Sequence, residues 1–92
     1  MTDDADARIR ASWRPDDIVA YEELRDLAVV LETMLVARAR ADAAAAPGTR
    51  AEASAVRGET LAIDGFDRKA VDSHTRRLAS RIAQLRQEQR DG

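Results

Sequence analysis

Asp72-Ser73-His74 is the first group in this chain whose residue types could do chemistry, holding an acid, a nucleophile and a base side by side. Such a set works only where the base reaches the proton of the nucleophile. Neighbours on a helix diverge by about 100°, so in a helical context these three side chains face different ways. His74 is the only histidine, which leaves Ser12, Ser54 and Ser80 without a base of their own. Glu22, Glu23, Asp26 and Glu32 supply carboxylates, but no Glu-x-x-His or His-x-x-Glu spacing accompanies them, as a di-metal helical bundle requires. Gly48, Gly58, Gly65 and Gly92 are too scattered for a phosphate-binding loop. Cysteine is absent, which removes disulfides, thiolate metal sites, iron–sulfur clusters and a cysteine nucleophile. The expectation is a protein with no catalytic, cofactor-binding or metal-binding residues and no small-molecule substrate, and not an enzyme.

Charge carries more information. The net charge of −2 is small, but its distribution is uneven. Between Pro15 and Ala46 three arginines face seven acids, whereas between Arg68 and Arg90 seven basic residues face only Asp72 and Glu88. An acidic helix and a basic helix suit one another as packing partners, with flanking ion pairs selecting orientation more than adding energy. A basic helix can also meet phosphates, and here the two uses compete. The ion-paired use is the expected one, because the acids of the first helix oppose the field that would attract a duplex.

Gly65-Phe66-Asp67-Arg68-Lys69-Ala70-Val71-Asp72-Ser73-His74, followed by Arg76-Arg77-Leu78, resembles the recognition helix of winged-helix response regulators of the OmpR type. The resemblance implies a helix docked in the DNA major groove, with Arg68, His74, Arg76, Arg77 and Arg81 as phosphate or base contacts. It is confined to this stretch. Thr75 stands where the family pattern has an aliphatic core residue, no strand-rich segment precedes, and the long opening helix has no counterpart.

These residues must be positioned by helices. Of 92 residues 19 are Ala, 45% are hydrophobic and 35% charged, a composition suited to one helical domain. No apolar run approaches the roughly 18–20 residues of a membrane span, and no secretory signal opens the chain, so a cytoplasmic protein without membrane contact is expected. Arginine outnumbers lysine 14 to one and Asn is absent, a bias that points to a high-GC bacterial or phage genome.

Residues 1–14 are polar and without core periodicity, and they predict a flexible N-terminal arm closed by Trp13, which is expected to pack back on the domain. A single helical domain is expected over 15–90. Pro15 suits the first helical position, and Asp16 and Asp17 suit the positive end of the helix dipole. The first helix is predicted over about 15–46, ended by Pro47-Gly48, with Ile18, Tyr21, Leu24, Ala28, Leu31 and Leu35 on its inner face. Thr49 and Glu52 have capping-box spacing and predict a short second helix over about 50–60, with Ala53, Val56 and Leu61 facing inward. Asp67 predicts the N-cap of a last helix over about 67–90, with Phe66 stapled onto Val71. Its line Val71, Thr75, Leu78, Ile82, Leu85 and Gln89 follows a heptad. The fold expected is all-α, an antiparallel helical hairpin or small helical bundle with coiled-coil-like packing, the short middle helix lying near the bend.

A second apolar stripe, Leu27, Val30 and Met34, runs beside the first on the opening helix. One partner helix cannot cover both, so these three residues are the predicted interface with a protein partner or a second copy. An interaction or assembly protein (an adapter, inhibitor or assembly factor) is therefore expected ahead of a small DNA-binding protein of regulatory or packaging type.

Overall fold

The computed structural model describes residues 14–91, which form three helices and no strand. Helix α1 is Pro15–Ala41, α2 is Ala46–Ala62 and α3 is Arg68–Asp91. The all-α class is the expected one. The N-terminal arm lies outside the described residues apart from Arg14, and so does Trp13.

Helix α1 opens at Pro15, with the Arg14 carbonyl accepting the N–H groups of Asp17 and Ile18 at 3.0 and 3.1 Å. Asp16 and Asp17 in its first turn and Arg38 and Arg40 in its last complement the helix dipole at both ends. It stops at Ala41, five residues earlier than Pro47-Gly48 suggested. The cause is Asp42, whose Oδ1 accepts the N–H groups of Ala44 and Ala45 at 3.1 and 3.3 Å and so stabilises a turn in place of another helical turn.

Pro47 and Gly48 consequently lie inside α2. Pro47 occupies the first turn, where its missing N–H leaves no helical hydrogen bond unmade. The capping box does not form: Thr49 is a buried residue within the helix, its N–H bound to the Ala45 carbonyl, while Glu52 reaches to α3. The inward line of α2 is Ala46, Thr49, Ala53, Val56 and Thr60, alternating by three and four. Leu61, one residue past Thr60, turns about 100° away and is 74% exposed, not inward.

At the start of α3, Asp67 caps as expected, its Oδ1 accepting the Ala70 N–H at 3.1 Å. Phe66 stays 51% exposed and outside the core cluster. The turn before it is held by Asp64, whose Oδ1 accepts the Phe66 N–H and whose carbonyl accepts the Asp67 N–H.

The core is built on α1. Ala20, Leu24, Ala28, Leu31 and Leu35 pack against Val56 of α2 and against Val71, Leu78, Ile82 and Leu85 of α3. Leu24, Leu31, Leu35 and Val71 are sealed from solvent, and the alanines between the leucines let the helices approach closely. Ile18, expected on the inner face, is 40% exposed, and Tyr21 is only half-buried.

Chain direction follows from the bridges. Arg68 at the start of α3 meets Asp17 at the start of α1, and Arg38 near the end of α1 meets Glu88 near the end of α3. The first and last helices are therefore parallel. Pairs Thr60–His74, Glu59–Arg77 and Glu52–Arg81 run in opposite numerical order, so α2 is antiparallel to α3. The molecule is an up-down-up bundle. The middle helix is not a short piece at the bend: its 17 residues, about 25 Å, carry the chain back before α3 begins.

Candidate functional site

Three of the seven basic residues of α3, Arg68, Arg77 and Arg81, are committed to contacts within the fold. Arg68 gives its Nη1 to Asp17 on α1 and its Nε to Asp72 one turn along, both at 2.9 Å. These two hydrogen bonds raise the affinity of its guanidinium for its proton. Arg81 binds Glu52 of α2 with both arms of its fork, Nε at 2.7 Å and Nη2 at 2.9 Å, and its pKa is raised by that bond. Arg77 reaches Glu59 of α2 at 2.7 Å. The backbones of α2 and α3 stand farther from each other than either does from α1, and these arginines span the gap.

His74 is not on the surface at all. It is 3% exposed, in the core face of α3, with Nε2 3.1 Å from Oγ1 of Thr60. Burial pushes its pKa down, the neighbouring Arg77 pushes the same way, and Glu59 pulls it up. Ser73 beside it is exposed, so the two side chains diverge as adjacent helical residues must. Of the five residues that the resemblance implies as nucleic-acid contacts, Arg68, Arg77 and Arg81 are ion-paired, which is the expected use of the basic helix, and His74 is buried. Only Arg76 is exposed without a hydrogen-bond or ion-pair partner among the described residues. The local likeness to a recognition helix therefore presents a different face here, with His74 turned inward.

Of the acids that balance the basic helix, Asp17 lies on α1 as expected, but Glu52 and Glu59 lie on α2. The roles of those two and of Thr60 are not legible in the sequence, because they depend on α2 being long enough to run beside α3. Among the described residues no group of three or more His, Asp or Glu side chains is placed to hold a metal ion, and no helix is long and apolar enough to cross a membrane.

The predicted apolar interface divides. Leu27 and Met34 are half-buried and pack against the core cluster, while Val30 remains 38% exposed. Two helices flank α1 here, where the sequence reading provided for one, and between them they take up most of the second stripe.

Another surface emerges on the side of α1 away from the core. Val29 is 61% exposed and Val36 40%, and with Val30, Thr33 and Ala37 they make an outward ridge at spacings of three and four. The Thr33 hydroxyl donates to the Val29 carbonyl at 2.8 Å, which satisfies it within the helix and lowers the cost of covering it. A groove on one side is shared with Ala53, Ser54 and Arg57 of α2, and one on the other with Leu85, Glu88 and Gln89 of α3. The signal for this ridge was present in the sequence, since Val29, Val30, Val36 and Ala37 repeat with helical period on one side. Compared with protein-family models, curated proteins and solved structures, the chain matches none.

Proposed function

We propose that the chain works by protein–protein interaction or self-assembly, as a small non-enzymatic helical bundle whose contact surface is the outward ridge of α1. The observation that carries this reading is the exposure of Val29, Val30 and Val36 on one face, opposite the core and between two open grooves. A contiguous apolar strip on a small domain has a cost in water that a partner removes. The proposed setting is the cytoplasm of a high-GC bacterium or its phage, where adapter, inhibitor and assembly roles use such a surface.

Nucleic-acid binding through α3 is the weaker alternative. Arg68, Arg77 and Arg81 would have to leave carboxylates already at hydrogen-bond distance before reaching a phosphate.

The test compares the natural chain with Val29→Asp/Val36→Asp. Both residues are exposed, so the variant should retain its helical content by circular dichroism. The natural chain is expected to form a complex, with itself or with a captured protein, that the variant loses. Identical masses and identical captured proteins for the two would overturn the reading. So would a tight, sequence-selective DNA complex of the natural chain at physiological salt.

A further inference from the structure

We infer that the occupant of the α1 ridge is a second copy of this chain, its α1 lying antiparallel across the first with the two-fold axis at Thr33. The inference rests on the interaction reading above and specifies the partner.

It comes from the symmetry of the exposed residues about Thr33. Three positions away on either side are Val30 and Val36, four away are Val29 and Ala37, and seven away are Asp26 and Arg40. All seven lie on the side of α1 away from the core, and an isologous contact needs a strip that is complementary to itself when reversed. Laid antiparallel, Val30 meets Val36 of the second copy, Val29 meets Ala37, and Thr33 meets Thr33. The seam spans 15 residues, about 21 Å of helix. Each Val–Ala pairing sets a larger side chain against a smaller one, which allows close approach.

Charge selects the direction. Asp26 of each copy falls opposite Arg40 of the other, once at each end of the seam. A parallel arrangement would set Asp26 against Asp26 and Arg40 against Arg40. The surroundings follow the same polarity. Glu22 and Glu23 lie exposed toward the acidic end, offset by Arg25, while Arg57 of α2 lines the groove beside Arg40, across from Glu32. Neither Asp26 nor Arg40 has a hydrogen-bond or ion-pair partner among the described residues, in contrast to Arg38, Arg68, Arg77 and Arg81. These two charges are thus free to serve a contact between copies.

The experiment is sedimentation equilibrium on the purified full chain and three variants. The natural chain should show a concentration-dependent mass rising to twice that of the monomer. Asp26→Arg alone, or Arg40→Asp alone, places like charges at both ends and should weaken dimerisation by roughly tenfold or more. The double variant should recover the dimer, and an equimolar mixture of the two single variants should form the mixed dimer.

Because the chain has no cysteine, Thr33→Cys supplies a second readout. On the axis it should cross-link to its counterpart through a short bismaleimide, whereas Arg40→Cys, about 21 Å from its own counterpart along the helix, should not. A chain that stays monomeric at every concentration would overturn the pairing. A dimer indifferent to both single reversals, or one that cross-links equally through Arg40→Cys, would overturn it too. If the monomer still captures a protein that Val29→Asp/Val36→Asp loses, only the second copy falls and the interaction reading stands. If the monomer and that variant capture the same proteins, both fall.

Discussion

Nε2 of His74 lies 3.1 Å from Oγ1 of Thr60, and that hydroxyl also lies 2.7 Å from the Val56 carbonyl. The carbonyl can only accept, so the Thr60 proton goes to it, and the hydroxyl oxygen accepts from His74. The assignment makes Nε2–H the protonated nitrogen of the neutral ring. A polar chain thus crosses from α3 to α2 in the core, where an isolated polar group would be costly.

The pH dependence of stability follows from the same contact. His74 has a folded-state pKa below its usual 6.5, chiefly through burial and then through Arg77, with Glu59 opposing. The unfolded chain therefore takes up the proton first. The contribution of His74 to stability should be complete above about pH 6.5 and shrink as pH falls below that value, where the folded state resists charging the ring. Urea midpoints followed by circular dichroism between pH 7.5 and about 5 should decline, and His74→Gln should flatten the decline. A midpoint that rises toward pH 5 would contradict the burial argument.

Thr60→Val tests the hydrogen bond itself. The shape is preserved, but the His74 N–H loses its acceptor in a site with little access to water. The expected cost is about 1–3 kcal/mol of unfolding free energy, the usual range for a buried donor left unsatisfied. If the valine variant is as stable as the natural chain, the Thr60–His74 hydrogen bond contributes nothing to stability.

Arg81–Glu52 and Arg77–Glu59 both tie α3 to α2, but they should not be equal. The first is a two-pronged fork with side chains 31% and 33% exposed, and the second is a single contact with side chains 65% and 51% exposed. Solvent screening and side-chain entropy erode the more exposed pair. Double-mutant cycles to alanine should give a coupling of about 1 kcal/mol for Arg81–Glu52 and near zero for Arg77–Glu59. Equal couplings would mean that the fork geometry contributes nothing.

Legibility in the sequence tracked how local each cause was. Asp67 capping Ala70 involves four consecutive residues, and it was readable. The inner line of α1 was largely readable too, because Leu24, Ala28, Leu31 and Leu35 share one face whatever covers them. Thr49 and Glu52 also have the right local spacing, yet Glu52 forms a stronger contact with Arg81, 29 residues away, and Asp42 had already opened the turn. The length of α2 decided whether the first and last helices were parallel, and that length rested on Pro47 and Gly48 being inside a helix. The ridge was obscured for a different reason. Leu27, Val30 and Met34 are larger and more apolar as a set than Val29, Val36 and Ala37, so hydrophobicity alone favoured the stripe that α3 and the core partly absorb.

A leucine pair measures how sharply the fold separates inside from outside. Leu31 is sealed between α2 and α3, so Leu31→Ala should cost about 2–5 kcal/mol, the range for truncating a buried leucine. Leu61→Ala, at a residue 74% exposed, should change stability by less than about 0.5 kcal/mol. Were Leu61→Ala to cost as much as Leu31→Ala, Leu61 would be covered in solution, and the surface at the end of α2 would itself be a contact.

Gly58 offers the complementary gain. It lies in the body of α2, at a negative φ, and a Cβ added there meets nothing within 4 Å. Alanine would therefore keep the helical backbone while removing conformational freedom from the unfolded chain, with no steric cost. Gly58→Ala should raise unfolding free energy by about 0.5–1 kcal/mol, the difference in helix propensity. Gly48 has equal space but sits in the first turn, where fewer helical hydrogen bonds depend on it, so Gly48→Ala should gain less. Both effects are read from denaturant midpoints at constant slope. A destabilised Gly58→Ala variant would contradict the open space beside Gly58 among the described residues.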